Sequence, residues 1–299
     1  MYELLKPTTA SPQGVALVIH GLNLKPARMQ PLINELQRMG IATVLCSLRG
    51  HGKNYTPTPN LSAEEARLRS FQQVSAALWR AEVLDAYAQA AHYADAQQCP
   101  IYLVAFSLGA LLGCELGANT PAVHFDSMAL FAPALAIQPL AHLLRLLTRW
   151  PRLTIPSLSD PLYRANRATP LAAYGALFHT LAKLRQQPLT RLNVPTLVFI
   201  DPQDELVSYR GLQRLIQRKA LTAWRIQPLT ARTAPGKNRQ RSLRALYRRI
   251  VNRPQLGAID ASTACYRHLI VEPTCVGTAA WEEMVELLQK AFGACQANS

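Results

Sequence analysis

Short apolar runs of strand length return along this chain, separated by stretches whose apolar residues recur at helical spacing. This alternation restricts the available folds more than any other feature. The runs are GVALVIHG, IATVLCSL, IYLVAF, SMALFAPAL and PTLVFI, and the pattern is that of a mostly parallel central sheet flanked by helices, an α/β fold. Between the first two, Met29, Leu32, Ile33, Leu36 and Met39 share a helical face and Gly40 supplies the stop, which completes a βαβ unit.

A polar, Pro-rich loop from Lys53 to Asn60 leads into a helical region, about Ser62 to Gln98, that contains a break. After IYLVAF the chain turns at Ser107 into a helix carrying Gly109, Ala110, Gly113 and Gly117, small residues that let a helix lie close on a sheet. Residues 136–194 are too many for a loop and have helical patterning of their own. Leu140, Leu143, Leu144 and Leu147 form a stripe ended by Trp150-Pro151, and Leu171 to Leu184 make a second helix. The expectation is a single domain over residues 1–299, with a helical cap at about 136–194 inserted before PTLVFI and a basic helical segment at about 208–254.

The formal net charge is +14, yet 13 of the 32 Lys and Arg fall between Leu206 and Ile259, where there is no Asp or Glu. That leaves 19 basic against 18 acidic residues elsewhere, so the charge is regional. Ser242 can cap a helix with Leu243, Leu246, Tyr247, Ile250 and Val251 on one face, Arg241, Arg244 and Arg248 off it, and Pro254 at its end. Arg210, Arg214 and Arg218 make a similar line on the preceding helix. Two surface helices packed on the domain are the plain reading; peripheral contact with an anionic membrane surface, or attraction of an acidic substrate, is the sharper one. Nucleic acid ranks last, since nothing here matches a known module.

No run approaches the roughly 20 apolar residues of a membrane helix, and the first residues lack a basic segment leading into an apolar one. A soluble, cytoplasmic protein is expected. Cys46, Cys99, Cys114, Cys265, Cys275 and Cys295 lie without the paired spacing of a zinc site or redox pair, and are read as reduced thiols.

In IYLVAF-Ser107-LGALLG a serine stands between a strand and a helix start, with Ala105 two residues before it and Gly109 two after. A nucleophile elbow needs small neighbours there, because its sharp turn brings strand and helix backbones together. Ala105 departs from G-x-S-x-G by one methyl group. A helix N-cap serine following a strand would look the same over these five residues; the surroundings favour the elbow. His20-Gly21-Leu22 follows the first strand at the same carboxyl edge of the sheet, so backbone N–H groups of this loop and of Leu108 can hold an oxyanion. Arg49-Gly50-His51-Gly52 shapes a neighbouring turn, with His51 in a structural hydrogen bond.

A serine nucleophile needs a base, and the base needs a carboxylate to fix its tautomer. Of His124, His142, His179 and His268, only His268 lies beyond the last assigned strands. IDPQDELV, after PTLVFI, offers Asp201, Asp204 and Glu205; Asp204 is the choice and Asp201 the fallback. The chain order is then Ser, Asp, His.

Together HGL, LRGHG, AFSLGA, DPQDELV and YRHLI resemble the α/β-hydrolase superfamily, in its monoacylglycerol lipase and serine aminopeptidase-like (S33-type) branch, over most of the chain. The resemblance implies Ser107 as nucleophile, Asp204 as acid, His268 as base, and the Leu22 and Leu108 amides as oxyanion donors. Ala105 for Gly, Ser47 where Asp often precedes RGHG, and Asp201 where Gly often opens the acid loop depart from the family without removing a reacting group. The stretch between WRIQPL and His268 is longer and more basic than the family's. The implied activity is serine hydrolysis of a small-molecule carboxylic ester, carboxylesterase or monoacylglycerol-lipase-like, with no cofactor or metal. Leu143, Leu144, Leu147, Trp150 and Phe178 either line a pocket for an apolar acyl group or make the cap's own core. An amidase or peptidase with the same triad is one alternative, and a non-catalytic binding protein using its basic face is another. Oligomeric state has no signature in the sequence.

Overall fold

Nine strands form among the described residues: β1 (Tyr2–Leu5), β2 (Gly14–Ile19), β3 (Ile41–Cys46), β4 (Ile101–Phe106), β5 (Ser127–Phe131), β6 (Thr154–Pro156), β7 (Ala168–Pro170), β8 (Thr196–Ile200) and β9 (Trp224–Pro228). The structure is a computed structural model that describes residues 1–7, 12–157, 159–230, 267–268 and 270–294. Seven strands hydrogen-bond in the order β1-β3-β2-β4-β5-β8-β9. All neighbours run parallel except the edge pair, where Tyr2 sits opposite Cys46 and Leu5 opposite Thr43.

Successive side chains of a strand face opposite sides, so a strand covered on both faces must be apolar throughout. Val15, Leu17 and Ile19 of β2 enter one core with helices α3 (Ala76–Gln97), α4 (Leu108–Asn119) and α6 (Leu171–Arg185). Ala16 and Val18 enter the other, with α1 (Gln30–Arg38) and the C-terminal helix Thr278–Ala294. The break expected between Ser62 and Gln98 falls at residues 73–75. Ser62 and Glu65 form a capping box for α2 (Ala63–Gln72), and the Ser75 side chain accepts the Leu78 N–H at the start of α3. The parallel order brings the carboxyl ends of β2, β4 and β8 to one edge, where α/β sheets bind their ligands.

Between β5 and β8 the chain runs through a 3₁₀ turn (Pro139–Leu143), α5 (Leu144–Leu147), the antiparallel β6–β7 pair and α6. Ala173, Leu177, Phe178 and Leu181 of α6 share the core of α4. The buried carboxylate of Glu115 on α4 ties the helices further, meeting Lys183 of α6 at 2.7 Å and Arg80 of α3 at 3.2 Å. The leucine stripe expected of one helix is divided. A 3₁₀ turn advances about 120° per residue and α5 makes one turn only. Leu144 therefore packs on the core, while Leu143, Leu147 and Trp150 are 59%, 44% and 56% exposed. Those three neither turn inward to a pocket nor form a core.

In the basic segment, α7 (Tyr209–Arg218) buries Leu212 and exposes Arg210, Arg214 and Arg218. The helix expected from Ser242 to Pro254 lies outside the described residues. Among those described, no helix is long and apolar enough to cross a membrane. Cys46 and Cys114 are buried, which pushes each thiol up to about 12.

Candidate active site

Strand β4 ends at Phe106 and α4 begins at Leu108, so Ser107 reverses the backbone within one residue. It does so at φ +52° and ψ −112°, a conformation that costs a side-chain-bearing residue about 1–3 kcal/mol and persists only where its surroundings over-determine it. Here they do. The Ser107 N–H donates to Phe131 O at 2.8 Å, and its carbonyl accepts the N–H groups of Ala134 at 3.1 Å and Leu111 at 3.2 Å. Gly109 is required by close approach, since a Cβ there would stand 2.4 Å from Ile19 O and 2.7 Å from His20 O.

Ser107, Asp204 and His268, from three separate parts of the chain, meet at this edge. His268 Nδ1–H donates to Asp204 Oδ2 at 2.7 Å, and the Ser107 hydroxyl donates to His268 Nε2 at 2.9 Å. The second carboxylate oxygen, Asp204 Oδ1, accepts the N–H groups of Leu206 at 2.7 Å and Val207 at 2.8 Å. Backbone thus orients the acid independently of the histidine. Gln138 Nε2 braces the same loop, donating to Asp204 O at 3.0 Å and Val207 O at 3.3 Å. All three side chains are buried, where weak screening strengthens each bond.

Asp201 has another place. Its Oδ1 accepts the Gln203 N–H at 2.8 Å and its Oδ2 lies 3.5 Å from the Arg267 guanidinium. The Arg267 N–H donates to Glu205 Oε1 at 3.4 Å, and burial pushes the Glu205 carboxyl above its ordinary value. Asp201 and Glu205 hold the residue before the histidine, whereas Asp204 holds the imidazole.

The loop of the expected oxyanion donors lies directly against the serine, for a Cβ on Gly21 would stand 3.3 Å from Ser107 Cβ. Leu48 N–H donates to His20 Nε2 at 3.1 Å, which keeps the ring proton on Nδ1 and lets it donate to Gly21 O at 2.8 Å. In a trans peptide the N–H opposes the carbonyl, so anchoring Gly21 O fixes the direction of the Leu22 N–H. Leu108 opens α4, and its N–H is one of those a helix start leaves without an intrahelical acceptor. His51 takes the structural bond expected of it: Nε2 accepts the Asn23 N–H at 2.9 Å and Nδ1–H donates to Arg49 O at 3.2 Å. Burial lowers His20 to about 4 and His51 well below its ordinary value, leaving both neutral at pH 7.

Sequence reasoning missed three residues that support this site: Asn23, Gln138 and Asn166. Asn23 carried a signal, being a residue that tolerates positive φ just after a strand, and its φ is +53°. Gln138 and Asn166 carried none, because their partners lie 66 and 143 positions away.

Three solved structures are similar to this chain in fold. A soluble variant of the monoglyceride lipase from Saccharomyces cerevisiae is 14% identical, over 76% of this chain and 81% of that one, with a TM-score of 0.63. A chain from the metagenome-derived lipolytic enzymes LipS and LipT is 21% identical over 77% and 87%, at 0.59. The monoacylglycerol lipase of Paleococcus ferrophilus is 18% identical over 76% and 87%, at 0.56. No curated protein sequence matches the chain. A family model described as serine aminopeptidase, S33, matches residues 10–160, a span that includes Ser107 and ends before Asp204 and His268. That match covers half of the sequence, and with the sheet order and helical layers above it makes this chain an α/β-hydrolase of the S33 serine aminopeptidase family.

Proposed function

We propose that this protein is a serine hydrolase that cleaves carboxylic esters with apolar acyl groups. The observation that carries the reading is the unbroken relay from Asp204 through His268 to the Ser107 hydroxyl, with contacts of 2.7 and 2.9 Å. His268 Nε2 takes the hydroxyl proton as Oγ attacks the acyl carbonyl, and the Leu22 and Leu108 N–H groups stabilise the oxyanion. The imidazolium, held by Asp204, returns the proton to the departing alkoxide, so an alcohol leaves and an acyl-Ser107 ester remains. Water then attacks that ester, giving its proton to His268, and the acid departs as Ser107 is reprotonated.

The similar structures are described as lipases and lipolytic enzymes, which favours an ester over an amide. Residues 136–194 serve as the cap. Its outer face shows Leu143, Leu146, Leu147, Trp150 and Leu153 to solvent, with Arg145, Arg149 and Arg152 between them and no acid before Asp160. A surface of that kind suits the edge of an anionic lipid aggregate.

Intact-mass measurement after a fluorophosphonate probe, on wild type and Ser107→Ala, tests the reading. One adduct, lost in the variant together with ester turnover, is the expected outcome. A folded wild-type chain that takes no label and turns over no ester overturns it, and salt-sensitive retention on heparin would then favour a binding protein with this fold.

A further inference from the structure

We propose that Asn166, in the segment inserted between β5 and β8, is a positioning residue that clamps the oxyanion loop through Asn23; the inference rests on the hydrolase reading above. Asn23 adjoins Leu22, whose N–H is the proposed donor, and its backbone is left-handed at φ +53°. Nearly every polar atom of Asn23 is held. Its N–H donates to His51 Nε2 at 2.9 Å, and its carbonyl accepts the Ala165 N–H at 2.8 Å. Its Nδ2 donates to Asn166 O at 3.0 Å and Thr169 Oγ1 at 3.1 Å. Its Oδ1 accepts the Asn166 N–H at 2.8 Å and Asn166 Nδ2 at 3.3 Å.

Asn166 is 1% exposed and reaches beyond this pair. Its Nδ2 also donates to Gly50 O at 2.8 Å, in the turn that carries His51. The amide can point only one way, because the alternative would set its oxygen against Gly50 O and Asn23 Oδ1. Asn166 Oδ1 goes without a hydrogen-bond partner among the described residues. An unmet buried oxygen carries a desolvation cost, which is tolerated here where Nδ2 joins two loops. The main chain continues the attachment, with Lys25 N–H donating to Tyr163 O at 2.9 Å and Leu24 bridging Arg164.

The sheet therefore supplies one side of the oxyanion loop's support, through His20 and His51, and the insertion supplies the other. Gly21, which packs on Ser107, has no side chain of its own with which to hold that position. Misplacement of a reacting group by about 1 Å costs on the order of 10²-fold in rate, so a loosened clamp should act on the chemical step more than on substrate binding.

The test compares wild type with Asn166→Ala and Asn23→Gly on a soluble p-nitrophenyl ester. Asn166→Ala removes only the Nδ2 bonds. Asn23→Gly removes the side-chain clamp while a glycine still accepts positive φ. Each variant is expected to lose about 10- to 100-fold in kcat with KM within about twofold, and the Ki of a trifluoromethyl ketone, which mimics the oxyanion, should rise by the same factor. Urea unfolding checks that both are folded at the assay temperature, and Asn166→Ala, which keeps every backbone bond of the clamp, is the milder change. Wild-type kcat in both variants overturns the clamp while leaving the hydrolase reading intact. So does a loss confined to KM, or a kcat loss that the inhibitor does not mirror. A wild-type chain inert to ester and fluorophosphonate overturns the hydrolase reading and the clamp with it.

Discussion

On the proposed hydrolase reading, replacing Asp204 by Asn should disable His268 as general base without disturbing the loop that carries the aspartate. In the native chain, Oδ1 accepts from the N–H groups of Leu206 and Val207, and Oδ2 accepts from His268 Nδ1–H at 2.7 Å. An asparagine has one acceptor and one donor in those places. Turning its oxygen to the imidazole would set its NH₂ against two backbone donors, so the oxygen stays with the backbone and the NH₂ faces Nδ1. The imidazole then carries its proton on Nε2 and meets the Ser107 hydroxyl as a donor. A wrong tautomer in such a triad lowers kcat by about 10⁴-fold, or about 5 kcal/mol of transition-state stabilisation. Asp201→Asn keeps the Gln203 N–H bond, weakens the 3.5 Å contact with Arg267 and leaves the Asp204–His268 bond in place, so a much smaller loss than at Asp204 is expected. The assay is kcat/KM on a soluble ester near neutral pH, with urea midpoints to confirm folding. Equal losses at the two aspartates would refute the assignment of the acid and the tautomer reasoning together.

Acid should destabilise the fold through His20. Its pKa is depressed from 6.5 to about 4 by burial, so the unfolded chain binds the proton first as pH falls. The contribution is intact above pH 6.5, erodes as pH falls toward 4, and amounts to about 3 kcal/mol at full loss; His51 adds to it in the same direction. Urea unfolding from pH 7 to pH 4 checks this, and a His20→Asn variant with an unchanged pH slope would count against it. Gly109→Ala should cost about 3 kcal/mol or more, because its Cβ meets backbone at 2.4 Å; an unshifted urea midpoint would show that the elbow has room. Leu146→Ser combined with Trp150→Ser should weaken sedimentation with anionic vesicles about tenfold and leave hydrolysis of a soluble ester unchanged. Equal vesicle binding would remove the lipid-facing role of that surface.

Much of the sheet was legible because a strand buried on both faces leaves a continuous apolar run, as at residues 101–106. The turn at Ser107 was legible for a related reason: close backbone approach admits no side chain at Gly109, two residues after the serine. Other elements left too little local signal. Strand β1 has four residues and takes its place by antiparallel pairing with β3, and β6 and β7 have three each. The stripe from Leu140 to Leu147 misled, because spacing reports a face only when the backbone is one regular helix. The C-terminal helix Thr278–Ala294 went unread although its apolar positions fill the second core.

The sequence by itself determined the layered α/β architecture and the chemical types brought to the sheet edge, since periodicity and residue size act within a few neighbouring positions. Only the tertiary structure decided which aspartate meets His268 and which pairs with Arg267, for Asp201 and Asp204 differ by three positions on one loop. It alone joined Asn23 to Asn166 across 143 residues. Hydrogen bonds reward atoms that meet in space, and nothing in the local pattern of a chain records a partner that only the completed fold brings near.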